Sequence, residues 1–200
     1  MPTELSAVSA KQIGYEAEIC GKRLFVCSDA ALFSPRGLDA GTAAMLAHIE
    51  IAPGMKILDL GCGTGVVGTY AAMCGAEAWL ADVDPAAVET AKKTLAANGV
   101  SGTVCLSDGF QAIDAAGFDL ILSNPPYHTD FAVAKHFIEK GFNRLKLGGR
   151  LVMVVKRELW YKNKLEAIFG GVRVAHEAGY AILAAERRQL QYAAKKKKSK

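Results

Sequence analysis

Residues 56–68 read KILDLGCGTGVVG: a short apolar run breaks into Gly61, Gly63 and Gly65, then resumes as a second apolar run. A strand that turns tightly into a helix fits this pattern, because glycine supplies the backbone conformations that such a turn demands. The same alternation continues downstream. Strands are predicted at Lys56–Leu60, Ala78–Ala81, Val104–Leu106, Leu120–Leu122 and Leu151–Val155, with helices at Val66–Cys74, Pro85–Ala97, about Phe131–Leu145 and about Lys162–Phe169. Asp84 and Pro85 are placed as cap and first-turn residue of the second of these helices. Short runs rich in Val, Ile and Leu, separated by helices, imply a parallel sheet covered on both faces.

Two closing strands, Val172–His176 and Tyr180–Ala184, are too close together for a crossover helix and predict an antiparallel hairpin at the sheet. The expectation is an α/β fold with a doubly wound, mostly parallel seven-stranded sheet. Ahead of it, residues 15–19 and 23–27 read as a separate hairpin, and a helix is expected from about Asp39 to Ile49 with Asp39 as its cap. The expected divisions are residues 1–52 for this hairpin and helix, 53–188 for the core and 189–200 for a lysine-rich, disordered tail.

Two hundred residues, 51% of them hydrophobic, suffice for one well-buried domain. The formal charge of +4 is a property of the tail: Lys195, Lys196, Lys197, Lys198 and Lys200 hold five of the 24 basic side chains, leaving 19 against 20 acidic ones. An extended nucleic-acid face normally makes a whole domain basic, so any such contact here is local or helped by the tail. Cys20, Cys27, Cys62, Cys74 and Cys105 are odd in number and lack zinc-ligand spacing, which points to small buried thiols in a reducing compartment and to no metal. Neither a signal peptide nor a membrane span is visible, and a cytoplasmic protein is expected.

In an open parallel sheet, ligands bind beyond the carboxyl ends of the strands, where strand order reverses. Gly63, Gly65 and Gly68 satisfy the dinucleotide pattern G-x-G-x-x-G, with Asp82 at the distance of a ribose-binding acid. Asp59, two residues before Gly61, argues against a pyrophosphate. Its carboxylate would repel an anion but can bind an ammonium directly or through water. S-adenosylmethionine carries such a cation and no phosphate, and is the preferred cofactor. Asp82, followed by Val83, would take the ribose hydroxyls. Asp108, in Asp108–Gly109–Phe110, is read as accepting from the adenine amine beside the apolar edge of Phe110, with a simple Asp-Gly turn as the alternative.

Residues 122–127, LSNPPY, end an apolar run with Asn124, Pro125, Pro126 and Tyr127. An exocyclic amine or amide nitrogen is a poor nucleophile because its lone pair is delocalised. If the Asn124 side-chain oxygen and the Pro125 carbonyl accept its two hydrogens, electron density returns to nitrogen and the lone pair is aimed at the incoming methyl. The prolines hold those oxygens still, and Tyr127 offers a stacking face. His128 beside the motif reads as a solvated loop residue.

DLGCGTG, ADVD, SDGF and SNPPY at these intervals resemble the class I S-adenosylmethionine-dependent methyltransferases. With LFSPRGLDAGTAAML before the loop, and GGRLVMVV and KLEAIFGGVRVAHEAGYAILAAERR after it, the chain resembles the small methyltransferase domain of ribosomal-RNA guanine-N2 methyltransferases over roughly residues 20–188. That resemblance implies a Rossmann-like sheet, cofactor contacts from Phe33 and Ser34, although Phe33 reads equally as core packing, and methylation of a guanine N2 in ribosomal RNA or an assembling subunit. A base in structured RNA must leave its stack to reach such a site. Lys156, Arg157, Trp160, Tyr161, Lys162 and Lys164 are the local segment that could meet RNA, with a solvated helix start as the alternative. The same NPPY chemistry serves adenine-N6 and protein glutamine-N5 methylation. A nicotinamide-dependent oxidoreductase and a non-catalytic RNA-binding protein are readings from other classes. The oxidoreductase lacks a recognisable hydride-transfer partner, and the intact Asn124–Tyr127 motif argues against loss of catalysis.

Overall fold

A two-stranded antiparallel sheet, β1 (Gly14–Ile19) and β2 (Lys22–Cys27), precedes the main body. The turn is made by Cys20 and Gly21, both at positive φ, as the primed two-residue hairpin turns require. The computed structural model describes residues 14–28, 37–125 and 131–193. Phe33, Ser34, Pro126, Tyr127, His128 and the lysine tail, all singled out above, lie outside the described residues.

Helix α1 (Ala40–Ala47) follows, capped by Asp39, whose side chain accepts from Thr42 N–H. Then come β3 (Lys56–Leu60), α2 (Val66–Met73), β4 (Glu77–Asp82), α3 (Pro85–Ala97), β5 (Thr103–Leu106), β6 (Phe118–Ser123), α4 (Phe131–Arg144), β7 (Leu145–Val155), α5 (Glu158–Phe169), β8 (Arg173–Glu177) and β9 (Tyr180–Glu186). The seven-stranded sheet has the order β5-β4-β3-β6-β7-β9-β8, parallel through β7 and antiparallel at β9 and β8. The turn between β8 and β9, Ala178–Gly179, again has positive φ at both residues.

Both faces of the central strands are apolar because both are covered. On β3 and β6, Ile57, Leu120 and Leu122 join one core cluster, while Leu58, Leu60, Phe118 and Ile121 join the other. The first cluster includes Ile19, Leu24 and Val26 of the small hairpin and Met45 and Leu46 of α1, so these elements close one face of the sheet. Asn98, at the end of α3, ties the hairpin down: it accepts from Phe25 N–H (2.8 Å) and donates to Phe25 C=O (2.7 Å).

Two element boundaries differ from expectation by more than two residues. Helix α5 starts at Glu158 rather than near Lys162, because its first turn buries Tyr161 against the second cluster. Helix α4 ends at Arg144 and the chain enters β7 at once. Leu145 pairs with Phe118, and after an irregularity Arg150 pairs with Leu120, with Gly148 at φ +80° in between. Of the thiols, Cys27 and Cys62 are buried and Cys74 and Cys105 partly so, but Cys20 is exposed at the hairpin turn.

Candidate functional site

Strand order reverses beside β3: the chain proceeds through β4 to β5 on one side, then returns to β6 and β7 on the other. The carboxyl ends of β3, β4, β5 and β6 carry Asp59–Leu60, Asp82, Ser107–Asp108 and Asn124 in turn, and all of them line one cavity of about 500 Å³. This is the position expected of a ligand site in an open parallel sheet. Its size suits a nucleoside-bearing small molecule.

Asp59 occupies a β3 position that alternation would fill with an apolar side chain. It is 3% exposed, and its Oδ2 accepts from Gly68 N–H on α2 at 2.9 Å. Burial pushes its pKa up to about 7, aided by the nearby Asp82 carboxylate and opposed by the Gly68 bond. A buried carboxyl with a single backbone donor is poised to gain from a cation. Asp82, half-buried at the end of β4, accepts from Gly63 N–H (2.8 Å) through Oδ2 and from Asp84 N–H (3.0 Å) through Oδ1. Those two bonds fix the carboxylate while leaving lone pairs for hydroxyl donors. Asp84 is the cap of α3, accepting from Ala86 N–H at 2.8 Å.

The glycines divide their labour. Gly61 and Gly63 adopt φ of +77° and +52°, and nothing lies within 4 Å of where a Cβ would stand, so bare main chain faces the cavity. Gly65 is not at the cavity wall. A Cβ there would stand 2.8 Å from Ala91 Cβ, and one on Gly68 would stand 2.3 Å from Leu80 Cγ. The later half of the dinucleotide-like pattern therefore packs α2 against the sheet and α3.

Phe110 departs from expectation as well. It is 4% exposed and meets Phe137 edge-on (6.5 Å between ring centres), while Val133 and Phe137 of α4 form the apolar wall beside Asp108 and Gly109. The apolar edge next to Asp108 thus comes from α4, whose contribution no local motif announces. Val83 lines the cavity and is largely exposed. Asp108 is exposed, with Gln111 Nε2 donating to it at 3.1 Å.

Asn124 and the buried Pro125 close the end of the cavity nearest α1. Asn124 Nδ2 donates to Asp39 Oδ2 (2.9 Å) and to Thr42 Oγ1 (3.1 Å). Ser123, fully buried, donates from Oγ to Leu60 C=O at 2.8 Å and so locks the start of the NPP segment to β3. Tyr15 of the small hairpin also reaches the cavity, its hydroxyl beside Thr64 and its pKa raised by burial. Sequence reasoning missed Tyr15, Thr42, Val133 and Phe137. A Tyr within an alternating strand looks like any half-buried strand residue.

The segment proposed for RNA contact is only partly available. Trp160 stacks on Phe131 (4.2 Å between centres, 14° between planes), Tyr161 is buried, and Lys164 pairs with Glu139. Lys156 and Arg157, just beyond the end of β7, are exposed, with Lys156 5.1 Å from the Tyr180 ring.

Four carboxylates, Asp39, Asp59, Asp82 and Asp108, face the cavity, and among the described residues no Lys, Arg or His lines it. Fold and site together define a doubly wound α/β domain with an anionic ligand cleft at its switch point. A model of the methyltransferase small domain family matches residues 23–184, and the chain belongs to that family.

The chain is 37% identical over 171 residues to ribosomal RNA small subunit methyltransferase C of Pseudomonas entomophila, covering 82% of this chain and 51% of that protein. It is 36% identical over 154 residues to the same enzyme of Serratia proteamaculans, with coverages of 74% and 44%. The solved structure of the T. thermophilus 16S rRNA N2 guanine methyltransferase (RsmC), in complex with AdoMet and guanosine, superposes with a TM-score of 0.79 at 29% identity, over 88% of this chain and 50% of that one. The chain thus spans about half the length of these relatives. Among the described residues no helix is long and apolar enough to cross a membrane, and no group of side chains could hold a metal ion.

Proposed function

We propose that the chain is an S-adenosylmethionine-dependent methyltransferase that modifies the exocyclic N2 amine of a guanine in ribosomal RNA. The observation that carries the cofactor assignment is the cavity in which the Asp59, Asp82 and Asp108 carboxyl groups meet no basic side chain among the described residues, Asp39 being engaged by Thr42 and Asn124. A pyrophosphate would meet like charge there, whereas a ligand with an ammonium and a sulfonium finds complementary charge. The residues fit this group: Gly61 and Gly63 leave room for it against bare main chain, and Asp59 is a buried carboxyl in need of a cation. When bound, S-adenosylmethionine supplies an electrophilic methyl on a sulfonium.

In this reading Asp59 holds the ammonium end, Asp82 accepts from the ribose hydroxyls, and Asp108 with Gly109, Val83, Val133 and Phe137 surrounds the base. Phe33 and Ser34 remain the contacts that the family resemblance implies. Asn124 Oδ1 and the Pro125 carbonyl accept the two amine hydrogens, which localises the lone pair on nitrogen and orients it; Pro126 stiffens the loop and Tyr127 stacks on the planar group. The proton lost after transfer passes to water. The guanine and ribosomal-RNA assignments rest on the likeness to small subunit methyltransferase C, and on the guanosine named with the T. thermophilus structure. Lys156 and Arg157, exposed beyond β7, are the side chains assigned to phosphate contact in this reading. A protein that works on ribosomal RNA would act in the cytoplasm.

The test is transfer of labelled methyl from S-adenosylmethionine to ribosomal RNA, ribosomal subunits and total protein from a strain lacking the gene, followed by nucleoside analysis. Labelled N2-methylguanosine is expected. Label on adenine or on a glutamine amide would overturn the substrate assignment while keeping the chemistry. Saturable micromolar NADH binding would overturn the cofactor.

A further inference from the structure

An asparagine that must accept hydrogens from a substrate amine has a symmetry problem: its side-chain amide is nearly isosteric on rotation by 180°. One orientation presents Oδ1, the other presents Nδ2, whose hydrogens would oppose those of the amine. We propose that Asp39 is the positioning residue that fixes the orientation of the Asn124 amide and thereby makes the site accept an amine. The inference rests on the proposed role of Asn124 as hydrogen acceptor.

The carboxylate sets the hydrogen-bond directions. Asp39 Oδ2 is a carboxylate oxygen and can only accept. It takes Thr42 N–H at 2.8 Å, the Thr42 hydroxyl at 3.3 Å and Asn124 Nδ2 at 2.9 Å. Because the Thr42 hydroxyl hydrogen points to Asp39, its lone pairs are left to face Asn124, and Nδ2 donates to Oγ1 at 3.1 Å. Thr42 is 8% exposed, so water does not compete freely for these atoms. A rotated Asn124 would set Oδ1 against the Asp39 carboxylate oxygen, which has no hydrogen to give; the Thr42 hydroxyl, free to turn, could serve either orientation and so does not choose between them. The rotated state is repulsive at the Asp39 contact, and that contact disfavours it before any substrate arrives. Asp39 therefore has two separable tasks: it caps α1, and it tethers an amide 85 residues away in sequence.

Substitutions at this position separate the tasks. Asp39→Asn would keep both, since the amide oxygen can cap Thr42 N–H and accept from Nδ2. A serine caps a helix about as well as aspartate but is too short to reach Asn124, and alanine does neither. For stability, Asp39→Asn and Asp39→Ser are expected to melt near the parent protein, with Asp39→Ala about 2–4 °C lower. For single-turnover methyl transfer, Asp39→Asn should stay within about tenfold, while Asp39→Ser and Asp39→Ala should both fall by about 10–100-fold, with S-adenosylhomocysteine affinity within about threefold throughout. Thr42→Val should lose part of the rate and Thr42→Ser restore it.

A second readout does not depend on turnover. The Asn124 side-chain amide signals in 15N spectra, identified by their loss in Asn124→Ser, should exchange slowly with water in the parent and in Asp39→Asn, and faster in Asp39→Ser. A serine variant that transfers at the parent rate overturns the proposal. So does one whose loss of rate is matched by lost cofactor affinity, or equal amide exchange in all three proteins. If the parent protein methylates no guanine, the substrate reading fails, and amide exchange alone still decides the tether.

Discussion

The charge state of Asp59 leads to a quantitative expectation for cofactor binding. Its carboxyl is held near pKa 7 by burial under α2, with a single N–H donor, that of Gly68, as partial compensation. An ammonium placed against it favours the ionised form, so binding requires deprotonation below about pH 7. At pH 5.5 only ~3% of a group with pKa 7 is ionised and at pH 7.0 about half, so affinity should rise about fifteen-fold between them, roughly 1.6 kcal/mol. This window lies below the range, about 7.7–8.0, in which an α-amino group such as the ligand's own loses its proton.

Titration calorimetry with S-adenosylhomocysteine, in buffers of different ionisation enthalpy, measures both the affinity and the proton released. Nearly one proton per ligand is expected at pH 5.5 and about half of one at pH 7.0. Asp59→Asn should bind weakly at both values, with no proton release. The free proteins should show the opposite order of stability. A carboxyl whose pKa is raised on folding favours the folded state most below about pH 4, and that contribution is lost as pH rises towards 7. At pH 8 the Asn variant should therefore be the more stable by on the order of 2–4 kcal/mol. A flat affinity between pH 5.5 and 7.0 with no proton release would refute the assignment of Asp59 to the ammonium.

Three further outcomes are expected. Asn124→Ala should abolish methyl transfer while leaving cofactor affinity within a few-fold, and Asp82→Ala should weaken binding by about 1.5–3 kcal/mol with the loss of its charge-assisted bonds, as calorimetry and single-turnover rates will show. Gly68→Ala places a Cβ 2.3–2.7 Å from three carbons of Leu80, which predicts a loss of about 1–3 kcal/mol in denaturant unfolding. Asn98→Ala removes both bonds to Phe25 and loosens the hairpin that carries Tyr15 into the cavity. A destabilisation of about 1–3 kcal/mol is expected, accompanied by weaker cofactor binding.

The sheet was legible because its signals are local. Apolar runs of three to five residues, glycine at the strand-to-helix turns and Asp84–Pro85 at a helix start each declare their conformation within a few positions, and β3, α3 and the terminal hairpin follow them closely. Boundaries slipped where tertiary packing overrode local preference. The first turn of α5 exists because Tyr161 has a buried place to go, although KRELW reads as a polar approach to a helix. The glycine pattern had the opposite difficulty. GxGxxG was legible as a motif, but which glycines meet a ligand and which meet Leu80 or Ala91 depends on the neighbouring strand and helix.

The site was legible in proportion to how far each functional atom lies from its own motif. Asp59, Asp82, Asp108 and Asn124 end strands, and the parallel topology brings strand ends together without further information. The sequence does not say which side of the Asp-Gly turn faces the cavity: Phe110 is buried against Phe137, and Phe137, from a helix two elements later, lines the wall. Asp39 is the most instructive residue. Its local reading as a helix cap is correct and complete at the level of sequence, since Thr42 N–H lies three residues away. The second partner of the same oxygen comes from the end of β6, which the sheet order carries to α1. A cap is usually interchangeable among Asp, Asn, Ser and Thr. One that also restrains a catalytic amide is not, so tolerance to serine at position 39 separates a purely structural cap from one that orients the substrate's acceptor.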